Sequence, residues 1–331
     1  MSIRIIGTGS YIPERVLTNL DLEKMVDTTD EWITSRTGIR ERHLAGDGIF
    51  TSDLSVQAAG RALDMAGIAP EELDLISVAT VTPDMTFPST ACVLQRKIGA
   101  VNAACYDLVA ACTGLIYSLE VAYSLLKASP GKYRYALVLG ADKLSSIVDW
   151  TDRSTCILFG DGASAVVLKN DPADSSPDFI AASKIGANGS YGDLLKIPAG
   201  GSALPASHAT VDAHSHFIKM AGKEVFKLAV NGMVDSCKHV MHSSGVRPDE
   251  IAWVIPHQAN MRIISAAAQR LDLPVERVYV NIERLGNTSA ASVGICLDEL
   301  NRADKLKSGD YILTTAFGGG LTWGAMLMRW I

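Results

Sequence analysis

The chain has 331 residues, 48% of them hydrophobic and 20% charged, with 30 Lys+Arg against 36 Asp+Glu. Such a composition suits a large buried core in about two units of ~150 residues, and it excludes wholesale disorder. The formal net charge of −6 argues against a general nucleic-acid binder, which needs a basic field to displace counterions.

No run approaches the ~18–20 apolar residues that a membrane-spanning helix needs. The opening MSIRIIGTGSYIP is broken by glycines and is not expected to act as a signal peptide. Six cysteines stand alone, with no C-x-x-C pair and no Cys/His spacing for zinc. The expectation is a reduced, cytoplasmic protein without a metal.

In chain order, residues 3–7 form a β-branched run that reads as a buried strand entering a Gly-Thr-Gly turn. Thr29-Asp30-Glu31-Trp32 opens a helix with a polar cap and early acids. Helical periodicity covers 52–65 and stops at Gly67, a strand-like run covers 74–82, and a helix covers 89–98. A strand at 105–109 leads into a long apolar helix over 112–127, followed by strands at 135–140 and 163–168. Beyond a polar stretch at 170–178, a helix is predicted over 226–242 and a strand over 251–255. Helices over 260–271 and 288–300 then precede strands at 311–315 and 324–330. Alternating strands and helices predict an α/β fold whose sheets contain parallel pairs.

The two halves resemble each other. Gly67-Ile68-Ala69-Pro70-Glu71-Glu72 answers to Gly245-Val246-Arg247-Pro248-Asp249-Glu250, each between a helix and a strand. On that alignment Tyr135 matches Tyr311, and Cys112 and Asn287 both open the next helix. This pattern predicts a duplicated unit with halves 1–172 and 173–331, and a site at their junction.

Cys112 lies between a strand and a helix, where the macrodipole and free N–H groups favour a thiolate. An isolated cysteine is otherwise most often inert packing. His257 and Asn287 occupy strand-to-helix turns, where each could be only a cap or turn residue. Together, however, the three offer a nucleophile and two donors for a developing oxyanion. Gly318-Gly319-Gly320 follows a strand and allows close backbone approach, but no Lys-Ser/Thr follows to make it a phosphate loop. The remaining histidines show no H-E-x-x-H metal pair.

DEWITSRTGI (30–39), AACTG (110–114), DRSTCILFGDGA (152–163), VIPHQAN (254–260), GNTSAAS (286–292) and AFGGGLTWG (316–324) resemble β-ketoacyl-[acyl carrier protein] synthase III. The motifs occur in the family's order over nearly the whole chain. The resemblance implies a thiolase-like fold: two similar halves in a five-layer αβαβα arrangement, with mixed five-stranded sheets, usually as a homodimer. It also implies condensation of a short acyl-CoA primer with malonyl-[acyl carrier protein]. Cys112 would carry the acyl group, and His257 and Asn287 would hold the malonyl carbonyl. Backbone N–H groups of Cys112 and Gly319 or Gly320 would form the oxyanion hole. No cofactor or metal is implied, since coenzyme A enters as a substrate thioester.

For the coenzyme A moiety, Trp32 and Arg36, at i and i+4 of one helix, would sandwich the adenine. Arg153 would join the stack or meet phosphate, and Gly222, Ala259 and Asn260 would line the pantetheine tunnel. Lys219, Lys223 and Lys227, at i, i+4 and i+8, would align on one helical face with Arg262 and Arg270 nearby, a basic patch for an acidic carrier. Phe87 would enter the partner subunit's acyl pocket. Rival readings are a ketosynthase or acyltransferase of specialised metabolism on the same fold, a Cys thioester hydrolase, and a non-catalytic scaffold. The hydrolase lacks an evident carboxylate to orient His257, and intact Cys, His and Asn argue against the scaffold.

Overall fold

In the computed structural model, which describes residues 1–331, the chain up to Asp171 carries the five strands of one sheet and four main helices, besides a small hairpin. They run β1 (Ser2–Tyr11), α1 (Asp30–Thr37), α2 (Thr51–Ala66), β2 (Leu75–Ala79), α3 (Thr90–Ile98), β3 (Ala104–Leu108), α4 (Gly114–Ala128), β4 (Tyr135–Asp142) and β5 (Gly162–Asp171). After it come β6 (Ile180–Ala187), α5 (Gly222–Ser244), β7 (Ile251–Pro256), α6 (Met261–Arg270), α7 (Ser292–Arg302), β8 (Tyr311–Gly318) and β9 (Thr322–Arg329). The first sheet has the order β1-β5-β4-β2-β3 and the second β6-β9-β8-β7. In both, the first three strands from the β1 or β6 side pair antiparallel, and the next pairing, β4 with β2 or β8 with β7, is parallel. Where the first sheet adds β3, the second has a single parallel bridge from Val254 to Val278. The repeat unit is therefore the same, with its last strand reduced to one contact.

Period-two alternation divides each sheet between two cores. On β4, Ala136 and Val138 face inward while Leu137, Leu139 and Ala141 face outward. On β8, Ile312 and Ala316 face inward while Leu313 and Phe317 face outward. The inward faces of both sheets enclose α4 and α7, which bury Leu115, Ile116, Leu119, Val293, Leu297 and Leu300 between them. Helices α2 and α3 cover the outer face of the first sheet, and α5 and α6 that of the second. The result is the five-layer αβαβα stack of the thiolase-like fold. No helix is long and apolar enough to cross a membrane.

The repeat is also visible in local chemistry. Gly67 and Gly245 end α2 and α5 in the left-handed region, at φ 65° and 72°. A one-turn 3₁₀ helix follows each, Pro70–Glu72 and Pro248–Glu250, and the last Glu accepts from the backbone N–H of Ala69 or Arg247 at 2.9 Å. One expected equivalence is corrected. Short 3₁₀ turns, Ala111–Thr113 and Ser289–Ala291, precede α4 and α7, and Ala111 and Ser289 share a positive φ of 47° and 49°. In this register Cys112 corresponds to Ala290, and Asn287 lies three residues earlier. The hairpin of Arg15–Thr18 with Glu41–Leu44 and strand β6 had no counterpart in the sequence reading.

Each of these turns packs against the central strand of the other half. A Cβ on Gly140 of β4 would lie 2.2 Å from the Ala290 carbonyl oxygen, and one on Gly318 of β8 would lie 2.7 Å from the Cys112 nitrogen. Both neighbours are backbone atoms, so relief requires a shift of the turn itself. Overpacking of this kind costs about 1–3 kcal/mol. Gly140→Ala is therefore expected to lower the melting temperature, whereas Gly60→Ala, in open space within α2, should hold or raise it. Equal melting shifts for the two variants in calorimetry would refute this account of the seam.

Candidate active site

Strand β3 ends at Leu108, and the turn that follows sets Cys112 at the first helical turn before α4. Thr113 Oγ1 and Thr322 Oγ1 both donate to the Ala110 carbonyl, at 2.6 and 3.0 Å, tying the turn to β9. The half-buried Cys112 side chain lies where two cavities meet. One, of about 450 Å³, is lined mainly by apolar groups including Val81, Leu144, Ile147, Phe159, Leu195 and Ile218, together with Gly319 and Gly320. The other, about 120 Å³, brings Cys112, His257 and Asn287 together with Gly222, Ala259 and Asn260.

The expected resting thiolate at Cys112 is corrected. Burial pushes this thiol up to about 12, the Asp142 carboxylate acts in the same direction, and only local hydrogen bonding, chiefly from Ser289, opposes them. The magnitudes explain the outcome. A helix terminus supplies at most ~2 kcal/mol, about 1.5 pKa units, whereas full desolvation moves a pKa by up to ~3–5 units. The helix start still aims an N–H at the site, but the resting sulfur is protonated.

His257 caps the end of β7. Its backbone N–H donates to the Thr315 carbonyl at 2.7 Å, and its Nδ1 lies 2.6 Å from Ser292 Oγ. The ring is 1% exposed, and burial depresses its pKa to about 3, so the imidazole is neutral. Asn287 is held through its backbone, donating to the Leu158 carbonyl at 2.8 Å and accepting from the Gly160 N–H at 3.0 Å. Its Oδ1 accepts the Ser289 N–H at 2.9 Å, which leaves Nδ2 as the free donor of the amide. The three side chains thus present a neutral thiol and two neutral polar groups to one small, desolvated space.

Other predicted residues divide. Trp32 does not stand across a slot from Arg36: the Arg36 and Arg153 guanidinium carbons already lie over its ring, 4.9 and 4.8 Å from the centroid. An adenine stacked on this indole must therefore displace a guanidinium, and Arg153 is further held by a bond to the Asp27 carbonyl at 2.7 Å. Lys219 is also corrected. It lies in a two-residue strand, Lys219–Met220, paired with Leu195–Lys196, and its Nζ is 3.6 Å from Asp149, so it is not on α5. Lys223 and Lys227 remain exposed on α5. On α6, exposed Arg262 lies over the Phe226 ring at 5.7 Å, and Arg270 donates to Asn231 Oδ1 at 2.6 Å. Phe87 is 84% exposed and lines neither cavity of its own chain.

Ser292 and Gln258 lie within the motifs GNTSAAS and VIPHQAN, which by themselves give neither residue a part, and Asp142 lies in none of the motifs. Gln258 is fully buried and bridges Pro256 to the Asn281 and Ile282 N–H groups, at 2.7, 3.0 and 3.2 Å, steadying the segment beneath His257. Asp142 is fully buried and accepts from Val81, Thr80, Thr82 and, across the seam, the Ala290 N–H. Nothing in their spacing signals either contact. No three or more His, Cys, Asp or Glu side chains converge as a metal site.

Family models described as 3-oxoacyl-[acyl-carrier-protein (ACP)] synthase III, and as its C-terminal part, match residues 106–189 and 241–330. A β-ketoacyl-[acyl-carrier-protein] synthase III of Caldanaerobacter subterraneus subsp. tengcongensis is 53% identical over 326 residues, covering 98% of this chain and 97% of that protein. The crystal structure of 3-oxoacyl-[acyl-carrier-protein] synthase III from Aquifex aeolicus matches with a TM-score of 0.90 at 50% identity, over 99% of this chain and 100% of its own. The priming β-ketosynthase of the R1128 polyketide biosynthetic pathway gives the same TM-score at 33% identity, over 99% and 96%.

Neutral His257 has a consequence for stability. Its pKa is lower in the fold, about 3 against an ordinary 6.5, so below pH 6.5 the unfolded state takes up a proton that the folded state does not. Stability from this group is complete above pH 6.5 and falls by about 1.4 kcal/mol per pH unit on acidification toward 3. Urea unfolding of His257→Gln between pH 7 and 5 should therefore show a shallower loss than the parent chain. Parallel slopes would contradict a buried neutral ring.

Proposed function

As a member of the 3-oxoacyl-[acyl-carrier-protein] synthase III family, this chain is the condensing acyltransferase that initiates fatty acid synthesis, and we propose that Cys112, His257 and Asn287 carry the reaction. The supporting observation is their convergence on one desolvated cavity that also holds Gly222, Ala259 and Asn260. Identity near 50% to synthases of this class, against 33% to a polyketide priming enzyme, favours the primary pathway over specialised metabolism.

In the first half-reaction Cys112 sulfur attacks the carbonyl of a short acyl-CoA. The oxyanion is held by the N–H groups of Cys112 and Gly319 or Gly320, and CoA leaves with the thiol proton. The apolar 450 Å³ cavity beside Cys112 suits the acyl chain, with Phe87 of the partner subunit closing it. Malonyl-[acyl carrier protein] then enters with its thioester carbonyl between His257 and Asn287. As the C–CO2 bond breaks, its electron pair moves onto that oxygen, where the two neutral donors stabilise the enolate. The enolate carbon attacks the acyl-Cys112 carbonyl, forming the new C–C bond and expelling the sulfur as a thiolate, which takes a proton from solvent in place of the one that left with CoA. No cofactor takes part.

Coenzyme A reaches Cys112 past Gly222, Ala259 and Asn260, and its adenine takes the place of a guanidinium on Trp32. Lys223, Lys227, Arg262 and Arg270, on adjacent helices beside that entrance, form the carrier-docking patch. Lys219 contributes only charge, shared with Asp149. The working form is a cytoplasmic homodimer. Its support is the edge strand β3, flanked by Val101, Val109 and Phe87, which are 73%, 77% and 84% exposed; apolar groups along an open edge call for a partner.

Incubation with radiolabelled acetyl-CoA should label the parent chain and not Cys112→Ser. Asn287→Ala should still be labelled but lose about 10²–10³-fold in malonyl decarboxylation, the usual effect of removing an oxyanion donor. A parent chain that takes no label from any acyl-CoA would make the assignment wrong. Charge reversal at Lys227 and Arg262 together should raise KM for malonyl-carrier roughly ten-fold while leaving acyl-CoA labelling intact. Equal loss of both half-reactions would remove the docking patch.

A further inference from the structure

We propose that Ser292 is a positioning residue that fixes the tautomer of His257: its hydroxyl donates to Nδ1, which keeps the ring proton on Nε2. The inference rests on the reading of His257 as an enolate donor and specifies what makes it one. Both residues are 1% exposed, and Ser292 Oγ lies 2.6 Å from Nδ1. A neutral imidazole has one donor nitrogen and one acceptor, so the partner of one nitrogen decides the state of the other.

The serine proton settles the direction. The Nδ1 contact is the only hydrogen bond that Ser292 Oγ makes. If Nδ1–H donated to it, the hydroxyl proton would be buried with no acceptor, which protein interiors avoid. Donation from serine satisfies both groups. The Ser292 backbone N–H is already engaged with the Ser289 carbonyl, so the side chain is free for this purpose. In the other half the residue at the same place in the turn register is Gly114, so the turn does not itself need a hydroxyl there. With the opposite tautomer, Nε2 would turn a lone pair toward the enolate oxygen and repel it.

The test combines a spectroscopic and a kinetic readout. In protein labelled with ¹⁵N-histidine, long-range ¹H–¹⁵N correlation should show the His257 signals, assigned by their loss in His257→Gln, as an unprotonated Nδ1 and a protonated Nε2. In Ser292→Ala these signals should move toward a mixture of tautomers. In that variant kcat for malonyl decarboxylation should fall at least ten-fold, while acyl labelling of Cys112 stays within two-fold of the parent chain. Ser292→Thr, which keeps the hydroxyl, should restore the parent spectrum and most of the rate. A protonated Nδ1 in the parent chain, or a Ser292→Ala protein with unchanged tautomer and rate, overturns the proposal. Failure of the parent chain to take acyl label would instead overturn the underlying functional reading, and the spectrum would still decide the tautomer.

Discussion

Everything at the site depends on backbone meeting backbone at the seam between two α/β units. Gly140 and Gly318 each clear a notch in a central strand, and the turn bearing Ala290 or Cys112 seats in it with no room for a methyl group. The two contacts are mutual, so neither half can set its turn without the other. Positive φ at Ala111 and Ser289 carries local strain of order 1–3 kcal/mol each, which this interlock can offset. The duplicated architecture is thus a means of holding two short turns rigidly face to face.

Burial sets the charge state of the side chains around the cavity. Burial holds Cys112 as a thiol and His257 as a free base, and Asn287 has no charge to lose. A neutral donor suits an enolate that forms as CO2 departs, because it need not give up a proton and so is not consumed. In a desolvated space, moreover, each hydrogen bond to developing charge acts with less competition from water. Asp142 is also fully buried, and burial raises its pKa above the ordinary carboxylate value while four donors act against that shift. One is the Ala290 N–H, the counterpart of the Cys112 N–H. At the turn of the second half this N–H is thus occupied by a side chain of the first half.

Surface electrostatics follow a looser logic. The net charge of −6 conceals the basic groups of α5 and α6 beside the cavity, and basic groups outside those helices are committed to other contacts. Lys219 faces Asp149, Arg153 is bonded to Asp27, and Arg36 rests on Trp32. Pairs of this kind are weak in solvent and can exchange one partner for another.

Much of the framework was legible from spacing alone. Apolar runs gave both sheets' inner strands, and Gly67 and Gly245, each followed by Pro and Glu, marked the repeat because helix termination and capping are local chemistry. Cys112 and His257 stood out because each sits where a strand gives way to a helix, and family motifs assigned roles to them and to Asn287, which instead follows the short helix Ile282–Leu285. Other features had no local signature. Matching Cys112 to Asn287 failed because the register is set by backbone φ at Ala111 and Ser289, which side-chain identity did not reveal. Lys219 fitted a helical stripe, yet pairing of Met220 with Leu195 drew it into a strand. The sequence by itself therefore determined the elements, their duplication and the chemical types at the site. Only the tertiary structure decided protonation, hydrogen-bond direction and which turns face each other, because desolvation and close approach arise from segments that are distant in the chain.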